Sequence, residues 1–259
     1  MNKALAFSVY RAMNQLRSIP ARHAPIAVAG APQLVPLLAK ELRAGGDPAA
    51  VVEGVPTRHV AALVWVGPAD EGALRSATKA GTPIVGLTEG ESLPYVLDTN
   101  LVRAHPGRGL PVEEIAAALA RGLGGDAPAV AASLPVLRRA VVATLIGRSV
   151  RQNGIIGATV FLGTGDLPAL TLNQALLTVR MAVAAGRDGD VGKLWPELAG
   201  VVGAAFALRR FARRLELLPL PRFAVRGGVA VAGTWAVGEA LKARFAAAAA
   251  ERPSVRLRS

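Results

Sequence analysis

The 259-residue sequence contains no cysteine. Disulfide bonds, thiolate nucleophiles and thiolate-bound zinc are therefore excluded as sources of stability or chemistry. Histidine is scarce too, and the three copies (His23, His59 and His105) are separated by 36 and 46 residues. That separation lacks the short spacing that is typical of metal-ligand motifs. We expect no metal site and no cofactor.

Aromatic residues make up only 4% of the chain, although its net charge is +12. A nucleic-acid binder usually combines basic residues with aromatic stacking platforms or a recognisable reading motif. The sequence has neither, which disfavours nucleic acid as a partner. Binding of nucleic acid through the basic half of the chain is kept as an alternative.

A phosphate-binding loop is missing where an α/β fold would place one. The turn after the first predicted strand reads VAGAPQLVPLLAKEL, and after Gly30 it has no second glycine, no lysine and no hydroxyl for magnesium. Pro32 and Pro36 also remove two backbone amides that could have bound phosphate. We therefore predict that the protein does not hydrolyse GTP and is not an enzyme.

Short β-rich runs alternate with helical runs over 21–124. The runs predicted as strands are 25–30, 49–54, 61–67, 83–87 and 95–104, and those predicted as helices are 34–46, 70–81 and 110–124. Asp70 is expected to cap the second helix. This alternation predicts a small α/β domain with a mainly parallel sheet. Residues 125–135 are predicted to be a linker.

The carboxyl edge of that sheet is the expected place for a ligand. Four residues follow predicted strands there and make a candidate degenerate ligand site: Gly30, Glu89, Glu91 and Asp98. A solvated loop is the simpler interpretation of the two glutamates. A soluble nucleotide-binding or small-ligand-binding protein, or an enzyme with the helical half as its oligomerisation domain, is the alternative that this site would support.

Basic charge is concentrated in the second half of the chain. Residues 135–259 hold 18 basic and 7 acidic residues, a net charge of +11, and they also hold the long apolar runs. The longest charge-free windows in this half are about 14 residues, short of the roughly 20 that span a bilayer. Basic and apolar character together indicate an anionic membrane surface as a partner.

The second half is predicted to be a basic, apolar helical domain over 136–246, followed by a basic tail over 247–259. Its predicted helical segments include 136–152 and 153–165 as separate pieces. A broad basic face is expected from four residues that are candidates for contact with anionic lipid: Arg209, Arg210, Arg213 and Arg214. At the other end of the chain, 1–20 is predicted to be an amphipathic helix, docked on its own domain or on a membrane.

The segment 163–186 is apolar but contains four polar residues that we expect to serve in helix packing: Asp166, Asn173, Gln174 and Arg180. Gln174 falls inside an apolar stripe with helical spacing, where it needs hydrogen-bond partners. The other three recur every seven residues and form a second, polar line. We expect Gln174 to specify helix pairing rather than to act in catalysis.

Two motifs of the second half carry a family resemblance. They are DLPALTLNQALL (166–177) and LPLPRFAVRGGVAVAGTWAVGEAL (218–241), the latter containing Gly233, Thr234 and Gly238. Together with the basic apolar opening at Arg138 and Arg139, they resemble the helical domain of YcjF-type bacterial inner-membrane proteins, which is also appended to Era-like GTPases. The resemblance covers 135–246.

The resemblance implies that residues 25–124 are a degenerate GTPase-like domain, without the Asn-Lys-x-Asp that recognises guanine. It also implies membrane association and a scaffolding or partner-binding role, through a protein partner or as a homo-oligomer. The implied location is the cytoplasmic face of a bacterial-type inner membrane, with the cytoplasm as the alternative. The resemblance supplies no catalytic residue.

Overall fold

The computed structural model describes residues 24–105, 107, 109–159, 166–187, 189, 192–215 and 221–250. These residues form two compact units, which divide between Thr144 and Leu145. The predicted amphipathic helix over 1–20 and residues 251–259 of the predicted basic tail lie outside the described residues. Each unit is described by itself below.

The first unit contains a five-stranded parallel sheet. Its strands are β1 (Ile26–Gly30), β2 (Val51–Glu53), β3 (Ala62–Val66), β4 (Ile84–Thr88) and β5 (Leu101–Arg103). They are arranged in the order β2-β1-β3-β4-β5, and each neighbouring pair is parallel. The predicted parallel sheet is therefore confirmed. This order is the one of flavodoxin-like doubly wound sheets, in which the switch point for ligands lies between β1 and β3.

The central strands are apolar except for Thr88 at the end of β4, because helices cover both faces of a parallel sheet. Every residue of β3 and β4 is buried, as are the first four of β1. One face of the sheet packs Leu63 and Trp65 against Leu74 and Ala77 of a neighbouring helix. The core of this unit is therefore built mainly from small and branched aliphatic side chains.

In the described residues of this unit the sheet is accompanied by α1 (Val35–Arg43), α2 (Glu71–Lys79), α3 (Val112–Gly122) and α4 (Ala127–Ser133), and by the start of a longer helix that begins at Arg138. The carboxylate of Asp70 accepts a hydrogen bond of 3.0 Å from the amide of Ala73, so the predicted cap of α2 is confirmed. Helix α4 lies in the stretch that was predicted to be a linker. Its residues Val130 and Ala131 are fully buried, so this alanine-rich stretch belongs to the core of the first unit instead.

The strand predicted over 95–104 is mostly absent. Tyr95 has a φ of +65°, which no extended strand can contain, and a short 3-10 helix follows at Asp98–Asn100. Only Leu101–Arg103 pairs with the sheet. The strand predicted over 49–54 is likewise shortened to Val51–Glu53, because the preceding residues form a 3-10 helix capped by Asp47.

The second unit consists of helices in its described residues. They are the part of α5 (Arg138–Thr159) from Leu145 onward, α6 (Asp166–Ala184), α7 (Trp195–Leu215) and α8 (Arg222–Ala250). The two segments predicted over 136–152 and 153–165 are one continuous helix as far as Thr159. Gly154 lies inside this helix without interrupting it. Its missing Cβ leaves room for Val231 of α8, whose Cγ2 would lie 2.8 Å from a Cβ added at Gly154.

Helix length and hydropathy bear on membrane crossing. Over the residues that the structure describes, no helix is both long enough and apolar enough to span a bilayer. This agrees with the short charge-free windows of the sequence.

A substitution at Gly30 tests how much the close contact between β1 and β3 contributes to stability. Its φ is +121°, and a Cβ added there would collide with the carbonyl oxygen of Val66, which also accepts the Ala31 amide at 2.7 Å. We expect Gly30→Ala to destabilise the first unit by roughly 2–4 kcal/mol, because backbone strain and steric overlap add. Urea denaturation followed by Trp65 fluorescence in a Trp195→Phe/Trp235→Phe background measures this.

The matched control for this substitution is Gly45→Ala. Gly45 also has a positive φ, +67°, but apart from its chain neighbours no described residue has an atom within 4 Å of the added Cβ. Its cost should be about 1 kcal/mol, from the backbone conformation alone. Equal costs at the two positions would show that the contact with Val66 is unimportant.

Candidate functional site

A buried polar network joins three helices of the second unit. Its members are Asn153 on α5, Asn173 and Gln174 on α6, and Thr234 on α8. Asn153 and Thr234 are fully buried, and Gln174 is 5% exposed. Buried polar side chains of this kind are tolerated in a helical core only when hydrogen bonds replace their lost contacts with water.

The hydroxyl of Thr234 lies at the centre of the network. It accepts a hydrogen bond of 2.8 Å from Nδ2 of Asn153 and a longer one of 3.5 Å from Nε2 of Gln174. Oδ1 of Asn153 in turn accepts a bond of 2.7 Å from Nδ2 of Asn173. The network therefore connects one side chain on α5 with two helices at once, which fixes the register of all three.

Gln174 is the least satisfied member of the network. Among the described residues, its Oε1 is buried and has no hydrogen-bond partner. Its backbone carbonyl accepts a bond of 2.9 Å from the hydroxyl of Thr178, one turn further along α6. The structure thus places Gln174 at the helix interface, where its side chain makes one long hydrogen bond within the described part of the chain.

The sequence motif around Thr234 supplies the fit between α5 and α8. Gly233 and Gly238 are both buried. A Cβ on Gly238 would meet Ile146 of α5 at 2.8–3.1 Å, so only glycine allows this approach. The structure therefore brings Thr234 and Gly238 of the motif to one helix interface, together with Asn173 and Gln174 of the other motif.

Arg180 lies away from that network. It is half-buried, and burial lowers its pKa, with the positive charge of Arg148 lowering it further. The predicted polar line of Asp166, Asn173 and Arg180 is thus divided, because Asn173 joins the network and Arg180 lies near Arg148 instead. Asp166 is the first residue of α6, and its side chain lies outside the described residues.

A second buried polar site is centred on Glu197, a residue that no sequence motif indicates. Its side chain is 2% exposed and its Oε1 accepts bonds of 3.1 Å from Arg187 and 3.0 Å from Arg244. Arg187 also lies over the ring of Phe245, 5.4 Å from its centroid. The signal that could have revealed this site is an acidic residue in the first turn of a helix whose next turns, 198–208, have no charged residue.

The charge of Glu197 is favoured in the folded protein. Burial by itself raises its pKa, but hydrogen bonds from Arg244, from its own backbone amide and from Arg187 outweigh that effect. The net pKa of Glu197 is therefore lower than that of an ordinary glutamate. The site connects the residues after α6 with α7 and α8 through one carboxylate.

The first unit has a cleft of about 580 Å³ at the carboxyl ends of β1, β2 and β3. Gly30 lines it, together with Pro32, Pro36 and Trp65. Its two carboxylates already have partners, since Glu53 pairs with Arg43 at 2.8 Å and Asp70 caps α2. None of the lining residues, all within the described range 29–70, is basic.

The remaining residues of the predicted ligand site are elsewhere. Glu89, Glu91 and Asp98 are exposed and are not among the residues that line the cleft. The structure therefore separates Gly30 from the three acidic residues. Of the predicted basic face, Arg210 is exposed on α7, and the side chains of Arg209, Arg213 and Arg214 lie outside the described residues.

The chemistry available at these sites is limited. Asn, Gln and Thr side chains form hydrogen bonds but do not titrate near neutral pH. Over the described residues, no group of three His, Asp or Glu side chains could hold a metal ion, and His59 and His105 are both exposed. Comparison with protein-family models, curated proteins and solved structures gives no match.

Thr234 and Gln174 should differ in their contribution to stability. Thr234→Val leaves the fully buried Nδ2 of Asn153 without its acceptor, which we expect to cost about 1–3 kcal/mol. Gln174→Leu removes one long hydrogen bond and a buried oxygen that has no partner, so it should change stability by less than about 1 kcal/mol. Urea denaturation followed by far-UV circular dichroism compares the two, and equal costs would contradict this account of the network.

Glu197 should make stability depend on pH. Its pKa is lower in the folded chain than in the unfolded chain, so its contribution is complete above the ordinary glutamate pKa of about 4.3 and is lost as the pH falls through its folded pKa. Glu197→Gln should cost about 1–2 kcal/mol at pH 7, and the difference from wild type should shrink as the pH is lowered from 6 towards 3.

The control is Glu239→Gln, because Glu239 forms an exposed pair with Lys242 at 3.0 Å. Its effect should stay below about 0.5 kcal/mol at every pH. Denaturation with urea at a series of pH values measures both variants. A Glu197 difference that does not change with pH would show that the lost charge is not the cause.

Proposed function

We propose that this protein is a non-enzymatic, peripheral membrane protein that uses its helical half to bind an anionic bilayer and to scaffold a partner. The main support for this proposal is that the half with a net charge of +11 also exposes large apolar side chains. Trp195 is 68% exposed and Trp235 is 58% exposed on α7 and α8. Cationic surfaces with exposed tryptophan and aliphatic residues are typical of proteins that bind at the bilayer interface.

Peripheral binding is compatible with the helix lengths. A protein whose described helices do not span a bilayer can still associate with its surface through charge and shallow apolar contacts. The YcjF-type resemblance of 135–246 supports the same proposal. It also supports the cytoplasmic face of a bacterial-type inner membrane as the location.

A scaffolding role is supported by the interior of the helical unit. The network at Thr234 and the ion pairs of Glu197 hold its helices in one arrangement through groups with no evident reactivity. An interior of this kind keeps the outer surface of the unit in one shape. A protein partner or a second copy of the chain could then bind to that surface. The proposed degenerate GTPase-like relation of the first unit rests on its parallel sheet, whereas the strand order is flavodoxin-like.

The cleft of the first unit favours a second candidate function, the binding of a small ligand. It lies at the switch point of the sheet, where ligands of α/β proteins bind. Its proline and tryptophan lining suits an apolar molecule rather than a nucleotide, since a phosphate would meet acidic groups without a basic one.

Vesicle flotation tests the membrane proposal with the full-length chain. We expect binding to vesicles that contain phosphatidylglycerol, little binding to pure phosphatidylcholine, and weaker binding as the salt concentration rises. Reversal of the basic face, with Arg209, Arg210, Arg213 and Arg214 all changed to Glu, should weaken binding at least about 100-fold. The reason is that each cation near an anionic surface contributes about 1 kcal/mol.

A control with the same net charge separates location from total charge. It changes four exposed basic residues of the first unit to Glu: Lys40, Arg58, Lys79 and Arg103. Its affinity should fall less than about 10-fold, because these residues are expected away from the bilayer. Equal losses in the two variants would contradict the assignment to the helical half, and absence of binding by wild type would contradict the function itself.

A further inference from the structure

We propose that one defined surface of the second unit enters the bilayer interface, formed by Arg151 and Ile155 of α5 with Val231 and Trp235 of α8. It is called the α5–α8 face below. This inference rests on the proposed membrane function and names the surface that performs it.

Three contacts fix how these two helices run. Ile146 meets Gly238, Asn153 bonds to Thr234, and Gly154 meets Val231, so rising numbers on α5 match falling numbers on α8. The helices are therefore antiparallel neighbours. In antiparallel neighbours, the residues that directly follow a contact residue on each helix lie on the same side of the contact. Residues 155 and 235 are therefore close together on the surface of the unit.

The apolar members of the face lie beside that line of contact. Ile155 follows directly after Gly154, and Trp235 is one turn beyond Val231 on α8. Ile155 is 59% exposed, Trp235 58% and Val231 39%. Side chains four residues apart on a helix share one side of it, so Val231 and Trp235 extend the apolar surface along α8.

The charges around the apolar residues identify the occupant as an anionic bilayer. Arg151 is exposed one turn before Ile155. Lys242, two turns after Trp235, is exposed as well, but it pairs with Glu239 at 3.0 Å, so that pair adds no net charge. A long basic side chain such as Arg151 can reach phosphate groups while the apolar residues beside it enter the acyl boundary. Tryptophan is enriched at that depth in membrane proteins.

A second copy of the chain is a poorer occupant. In a two-fold symmetric dimer the same patch meets itself, so each copy would bring Arg151 and the surrounding positive charge to the same interface. Like charges at an interface reduce affinity, whereas an anionic lipid surface neutralises them. The bilayer thus accounts for both the apolar and the basic members of the face.

Tryptophan fluorescence tests the proposal directly, because the chain has three tryptophans in different settings. Trp65 is buried in the first unit, and Trp195 and Trp235 are exposed in the second. Three full-length variants, each with two tryptophans changed to phenylalanine, report on one position at a time. They are mixed with vesicles of phosphatidylglycerol and phosphatidylcholine whose acyl chains carry bromine, which quenches tryptophan only at short range.

We expect emission from Trp235 to shift to shorter wavelength and to be quenched at least about twofold more strongly than emission from Trp65. Trp235→Ser should weaken vesicle binding about 10-fold, the amount expected for a tryptophan that is partly withdrawn from water. The matched control is Leu97→Ser, an exposed apolar residue of the first unit, which should change affinity less than about twofold. Circular dichroism verifies that each variant is folded.

The outcomes separate this inference from the function on which it rests. Binding to anionic vesicles with quenching of Trp235 supports both. Binding without quenching of Trp235, or with quenching of Trp195 instead, overturns the α5–α8 face and leaves the membrane function standing. Failure to bind any vesicle overturns both, and self-association that Trp235→Ser abolishes in the absence of lipid would identify a second copy as the occupant.

Discussion

The hydroxyl of Thr234 lies where three helices of the second unit meet, and its hydrogen bonds to Asn153 and Gln174 determine how those helices fit. A buried polar group can hold a helix interface in register because every slipped alternative leaves a donor without an acceptor. Gly238 allows the close approach that the short bond requires. The ion pairs of Glu197 act in the same way nearer the C-terminus of α8, where they also restrain α7 and the residues after α6.

The first unit depends on a different constraint, the close approach of β1 and β3 at Gly30. In the turn after Gly30, the amide of Ala31 donates a hydrogen bond to the carbonyl of Val66, and Gly30 and Ala31 both line the cleft. In nucleotide-binding sheets the corresponding turn leaves its amides free for phosphate. Here proline occupies two of the positions, and both nearby carboxylates have structural partners. The turn lies where ligands of α/β proteins bind. Its Ala31 amide and the two nearby carboxylates, however, have their partners within the protein.

The sequence predicted those features that depend on residues close together along the chain. The parallel sheet, the cap at Asp70 and the helical character of the second half followed from periodicity and capping residues. The linker at 125–135 was predicted wrongly because alanine, proline and glycine occur both in linkers and in tightly packed short helices such as α4. Glu197 was missed because its partners, Arg187 and Arg244, are distant along the chain. The sequence placed Gln174 inside an apolar stripe, and the structure buries it, but no pattern could reveal that Thr234 would be its partner.

The order Gly233, Thr234, Trp235 connects the interior of the helical unit with its surface. Successive side chains of a helix point about 100° apart. The direction of Thr234 into the network therefore also fixes the directions of residues 233 and 235. Gly233 is buried on one side, and Trp235 is carried to the outer edge of the contact with α5, one turn from Val231. A shift of α8 that turned Trp235 inward would also remove Thr234 from Asn153. The polar network therefore keeps the apolar residues of the α5–α8 face exposed to solvent. To do so it buries amide side chains, which most helical cores avoid.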